Sequence, residues 1–197
     1  MNLSAKAFKQ ILSYLLMLKE IILDLLIYLT LIADITIILI LIYFVFLKFN
    51  GKIFSSSSIG IFLRKNYLIF GFIVSLVATL GSLFYSDIMG YEPCTLCWYQ
   101  RILIYPQVLL FGLAIFRKDR KIYPYILALS IPGALIAFYH YMLQLGIMGE
   151  SVVCSIVGYS VSCSENFFTN FGYITIPMMA LTSFILIIIL ALNARKN

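Results

Sequence analysis

Charge is what this sequence has least of: only 11% of its 197 residues are Asp, Glu, Lys or Arg. A water-soluble domain carries about 25%, so a soluble globular fold is excluded and the bilayer is the expected solvent. Histidine and tryptophan occur once each, at His140 and Trp98, and cysteine four times. A cleavable export signal is not expected, because Lys19, Glu20 and Asp24 interrupt the first apolar run and no small-residue cleavage site follows. Nucleic acid is not expected as a partner either. The net charge of +6 comes from short clusters of lysine and arginine between apolar stretches, and the positive-inside rule for membrane proteins accounts for that pattern.

What the chain does have is apolar length. It is 63% hydrophobic, with a mean hydropathy of +1.05. A hydrocarbon core of about 30 Å needs about 20 apolar residues in a helix, and windows near 26–47, 67–85, 98–116, 122–145 and 172–192 qualify. Backbone groups left unpaired cannot face lipid, so each window predicts a helix and the chain an all-α membrane protein. Pro106, Pro124, Pro132 and Pro177 fall in or near these windows and predict kinks or helix starts.

Orientation follows from the basic residues. Arg64 and Lys65 precede the second window, Arg117, Lys118, Arg120 and Lys121 join the third to the fourth, and Arg195 and Lys196 follow the fifth. These positions belong to the cytoplasm. The stretches 86–97 and 146–171 contain no lysine or arginine and hold Asp87, Glu92, Glu150 and Glu165, so they are expected outside. All four cysteines, Cys94, Cys97, Cys154 and Cys163, lie in them, on the side where disulfides form and persist.

The first sixty residues read separately. In 1–25, Lys6, Lys9, Gln10, Ser13, Glu20 and Asp24 recur near helical spacing and leave leucine and isoleucine on the remaining surface, which predicts an amphipathic helix at the membrane interface. Residues 26–60 predict a transmembrane helix, extra to the four spans of 61–197, and a serine linker. Lys48 and Lys52 put the end of the extra span in the cytoplasm, although the lysines near the N-terminus favour the opposite sense. Asp34 falls inside that span and is expected to be neutral or paired with another helix; it serves assembly, function or neither.

Two cysteine pairs on one outer face admit three uses: structural staples, a metal site or a redox relay. A staple suits Cys154 and Cys163. It suits Cys94 and Cys97 less well, because closing so short a loop removes little chain entropy and CxxC is a redox-active arrangement in many oxidoreductases. Metal binding suits the spacing poorly, since eight residues separate the second pair and the lone histidine lies in a span; no metal is expected. Haem attachment fails because Trp98, and not histidine, follows Cys97.

If Trp98 opens the third span, Cys97 sits at a helix N-terminus, whose partial positive charge favours a thiolate. Arg101 is four residues on and on the same face. It is the sole outer arginine or lysine in the last four windows, and it opposes the helix dipole. It could stabilise a sulfur anion or a polar oxygen at headgroup level, or simply snorkel to the interface.

These residues resemble a known family. Pro93-Cys94-Thr95-Leu96-Cys97-Trp98-Tyr99-Gln100-Arg101 with Ile104-Tyr105-Pro106, then His140-Tyr141-Met142-Leu143-Gln144, a second outer cysteine pair and Phe171 through Pro177 are similar to the DsbB family, especially its BdbC-like branch. The likeness covers about 64–192. It implies a four-helix transmembrane bundle (DsbB-like) in the bacterial cytoplasmic (inner) membrane, with all four cysteines facing the periplasm or exterior. It implies a protein-thiol:quinone oxidoreductase that oxidises an extracytoplasmic thioredoxin-fold (DsbA-like) partner and reduces a membrane quinone, ubiquinone or menaquinone. By the family's pattern Cys94 and Cys97 form the quinone-proximal disulfide, Cys97 faces the ring, and Cys154 and Cys163 are the shuttle pair, with Cys154 the partner's target. Arg101 and His140 match residues placed at the quinone, and Trp98 and Gln100 are further candidates to hold it. The interfacial helix and extra span lie outside the family's pattern. The competing reading is a non-catalytic membrane protein whose outer cysteines are structural disulfides or metal ligands.

Overall fold

A computed structural model of the chain describes residues 2–49, 57–148, 162–164 and 166–195, with the side chains of 2–9, 11 and 12 outside the description. Among the described residues five long α-helices form: α1 (Asn2–Phe49), α2 (Ser58–Leu83), α3 (Thr95–Arg117), α4 (Tyr123–Gln144) and α5 (Ile176–Ala194). All five are long and apolar enough to cross a membrane, and each coincides with one of the expected windows. Among the described residues the only β pairing is an isolated bridge between Asn170 and Ile174. The molecule is an all-α, multi-pass membrane protein.

Local chemistry sets the helix limits. Ser57 caps α2, its hydroxyl accepting from the Gly60 amide at 3.1 Å. The end of α2 widens into a π-helical turn, Phe84–Ile88. α3 stops at Lys118, whose φ of 55° lies in the left-handed region. Pro124 and Pro177 stand in the first turns of α4 and α5, where no amide partner is lost, while Pro106 and Pro132 lie inside α3 and α4. Where an interfacial helix and a separate span were expected, Asn2–Phe49 form a single uninterrupted helix, with no glycine or proline to break it, and most of the expected serine linker lies outside the described residues. At 48 residues it is about 72 Å long, more than twice the hydrocarbon thickness.

Helices α2 to α5 make a ring in which α3 packs on α2 and α4, and α5 on α4 and α2; α1 lies outside it against α5. Lipid tails are as apolar as leucine, so close approach and hydrogen bonds hold such a bundle together. Gly71 admits the ring of Phe111, and Gly133 that of Phe184; a methyl at either would overlap the ring. In the core, the Ser130 hydroxyl donates to Gln107 Oε1 at 3.0 Å, and Gln107 donates to the Leu103 carbonyl at 2.9 Å. At the end opposite the cysteines, Arg120 stacks over Tyr67 and donates to the carbonyls of Arg64 and Lys65. Asp34 has the partners its burial demands: its carboxylate accepts from Thr182 of α5 at 2.6 Å and from Tyr173 at 3.1 Å.

Candidate functional site

Helix α3 begins at Thr95, three residues before the tryptophan that hydropathy favours as the start of the span. Cys94 therefore holds the N-cap position, and its sulfur accepts from the Cys97 amide at 3.4 Å. The charge-stabilising end of the helix thus acts on Cys94, where the sequence suggested Cys97. The two sulfurs are 3.1 Å apart as free cysteines, within hydrogen-bond reach of one another. From α4, His140 brings Nε2 to 3.6 Å from the Cys94 sulfur, and its Nδ1 lies 3.0 Å from the Gln100 side-chain amide. An amide that donates to Nδ1 leaves the imidazole proton on Nε2, facing the sulfur.

Cys94 lies outside the membrane spans, and its thiol is drawn well below the ordinary range. The Cys97 thiol donating to it is the largest cause; His140 and the Cys97 amide add to it, while burial opposes. The thiolate exists above the folded-state value and is lost only as pH falls through it. A depressed value stabilises the folded dithiol form above the unfolded thiol's range near 8.5, and that contribution disappears as pH drops toward the folded value. Reduced protein titrated by ultraviolet thiolate absorbance is expected to keep one thiolate well below pH 8.5. His140→Phe is expected to move that midpoint upward; an unmoved midpoint would detach His140 from the sulfur's charge.

Cys163 joins the same place. It is 2% exposed and disulfide-bonded, and it shares one buried cluster with Cys94, Leu96 and Leu143, against which Cys97 also packs. Aromatic stacking holds the two outer loops together: Tyr91, ahead of Cys94, stacks on Phe167 at 4.6 Å and 12°. Cys154 lies outside the described residues.

Beside the cysteines is a cavity of about 300 Å³. Its walls are mostly apolar, and Cys97, Gln100, Arg101 and Ser82 are among its polar lining. Arg101 is fixed there: Nε donates to Ser82 Oγ at 2.9 Å, Nη2 to the Ser82 carbonyl at 3.0 Å, and the guanidinium lies 5.3 Å from the Trp98 ring. Tyr105 donates to the same Ser82 hydroxyl at 3.2 Å. Trp98 backs Arg101 but does not line the cavity and is 53% exposed; His140, 2% exposed, lies behind the cysteines. Ser82 had no signal in the sequence beyond being a hydroxyl near the outer end of a span, and Thr30 and Ala33 of α1, also in the lining, had none.

A metal could use Cys94, Cys97 and His140, whose ligand atoms lie within 4.8 Å of one another. Two thiolates on one tetrahedral zinc stand about 3.8 Å apart, given Zn–S near 2.3 Å. The observed 3.1 Å suits a thiol donating to a thiolate better.

The family described as disulfide bond formation protein DsbB matches residues 64–194. The chain belongs to the DsbB family. It is 46% identical over 128 residues to disulfide bond formation protein C of Bacillus subtilis, covering 64% of this chain and 91% of that protein. It is 44% identical over 123 residues to a probable disulfide formation protein C 1 of Bacillus anthracis, covering 62% and 87%. With a probable disulfide formation protein of Oceanobacillus iheyensis it shares 41% over 128 residues, 65% of this chain and 88% of the relative. No solved structure matches the chain. DsbB membership places the chain among oxidoreductases of disulfide formation, implies a thiol-disulfide oxidoreductase partner, and links the chain with quinones as a class. α1 precedes the DsbB match.

Proposed function

We propose that this chain is a protein-thiol:quinone oxidoreductase. It oxidises an extracytoplasmic, DsbA-like thioredoxin-fold protein and passes the electrons through two cysteine pairs to ubiquinone or menaquinone in the bacterial cytoplasmic membrane, with the cysteines facing outward. The observation that carries this reading is the convergence of Cys94, Cys97 and Cys163 beside a cavity lined by Cys97 and Arg101. The cavity fits the acceptor: a mostly apolar space of about 300 Å³ suits a ring and the start of its tail, and Arg101 and Gln100 supply donors to ring oxygens.

The partner's thiolate attacks Cys154 of the shuttle disulfide, and Cys163 leaves as a thiolate. Cys163 then attacks Cys94, which shares its buried cluster, and displaces Cys97 as a thiolate. The partner's second thiol closes its own disulfide and frees Cys154, which attacks Cys163 and releases Cys94. Cys94 is a good leaving sulfur because the Cys97 thiol and His140 stabilise its anion. The result is an oxidised partner, a restored shuttle disulfide and a Cys94/Cys97 dithiol. A bound quinone supplies an acceptor for the dithiol's two electrons and two protons. Cys97 presents its sulfur at the cavity, Arg101 fixes a positive charge there, and Gln100 and His140 hold the proton beside Cys94.

The test uses the full chain in detergent or vesicles with a reduced thioredoxin-fold partner and a short-tailed quinone. Quinone consumption is expected to match disulfides formed, one for one. Partner oxidation that proceeds equally well without quinone, and with none consumed, would sink the reading. Mapping of the cysteines to the cytoplasmic side would sink it too.

A further inference from the structure

Helix α1 lies ahead of the DsbB match, yet it supplies Leu26, Leu29, Thr30 and Ala33 to the cavity that Cys97 and Arg101 line. Its docking is directed. The side facing the bundle is a buried stripe of Ile27, Thr30, Asp34 and Ile37 at helical spacing, while Ile35 and Ile38 on the other side are half exposed. Apolar contact alone gives a helix in lipid no preference for protein over acyl chains, so the polar contacts decide where α1 sits. Asp34 takes hydrogen bonds from Thr182 and Tyr173, and Lys19 donates to the Ile88 carbonyl at 2.8 Å, on the cysteine side of the bundle. Leu26 meets the bundle beside Gly81, next to Ser82, which holds Arg101.

We propose that α1 is a resident wall of the acceptor cavity, latched by Asp34, and that Ala33 is a specificity-determining residue limiting the bulk of the quinone admitted. The inference rests on the quinone reading above. Ala33 is the smallest side chain α1 gives to the lining, so added volume there is felt by the occupant first. The lining of α1 makes the cavity a site of defined size on a flank that would otherwise face lipid.

The chain's single tryptophan, Trp98, backs Arg101, which lines the cavity, at 5.3 Å from guanidinium to ring, so quenching of its fluorescence by a quinone reports on an occupant. Purified full-length protein is titrated with a short-tailed quinone, following Trp98 quenching and the thermal shift of unfolding. Ala33→Phe is expected to bind about tenfold more weakly, equivalent to about 1.4 kcal/mol, while Ile35→Phe on the lipid side binds as wild type. Asp34→Ala is expected to weaken binding in the same direction, and it carries the test should the phenylalanine variant fail to fold. Wild-type affinity in Ala33→Phe, or in Asp34→Ala, would overturn the wall while leaving the quinone reading standing. Absence of quenching and of thermal shift in wild-type protein would instead remove the quinone reading, and this inference with it.

Discussion

Cys97→Ser is expected to reduce quinone consumption by roughly 10³-fold or more, the scale on which loss of a covalent nucleophile costs other enzymes. The reason is specific to the geometry. Cys94 shares a buried cluster with Cys163, but it can be attacked only while it is half of a disulfide, and Cys97, 3.1 Å away, is the sulfur placed to be its partner. Without Cys97 there is no leaving sulfur and no thiol facing the cavity. The remaining Cys94 thiolate still packs in the buried cluster with Cys163, so peptide mapping under non-reducing conditions should recover a mixed disulfide between them. Serine differs from cysteine by one atom, and thermal unfolding should stay within a few degrees of wild type, separating lost chemistry from lost fold. Undiminished quinone reduction in this variant would end the relay scheme.

The parts of this molecule that were legible in its sequence are those that the bilayer dictates. Five apolar runs became five helices because a span must be helical and about 20 residues long. The cysteine loops stood out because they lack lysine and arginine. Hydropathy, however, marks where the membrane begins and not where a helix begins. It favoured Trp98 as the start of α3, whereas Cys94 and the Cys97 amide form a cap and open the helix at Thr95. That shift moves the stabilised anion from one cysteine to the other. In the N-terminal region the recurring charges indicated a surface helix, but periodicity carries no stop signal, and without glycine or proline α1 runs on to Phe49. Asp34 was expected from sequence to be neutral or paired; which groups it meets depends on how α1 lies against α5. Ser82 illustrates the limit most clearly, since a serine near a span's end is ordinary until an arginine from another helix settles on it.

That arginine yields the second large effect. Arg101→Ala is expected to raise the KM for quinone about 10- to 100-fold, the equivalent of one charge-assisted hydrogen bond at about 1.5–3 kcal/mol. The rate of disulfide exchange between partner and protein, measured in a single turnover without quinone, should change little, because Arg101 lines the cavity and does not touch Cys94 or Cys163. Lysine should not rescue the loss. The guanidinium donates Nε and Nη2 to the hydroxyl and carbonyl of one serine and lies over the Trp98 ring at 5.3 Å, and a single ammonium does not reproduce that fork. Ser82→Ala removes one of the two anchors and keeps the carbonyl, so its KM should fall between wild type and Arg101→Ala. An arginine that merely snorkels to the headgroups predicts the reverse pattern: lysine restores full function, and alanine lowers thermal stability while leaving the KM for quinone unchanged. The split between KM and exchange rate therefore separates an arginine that positions the acceptor from one that only anchors a helix.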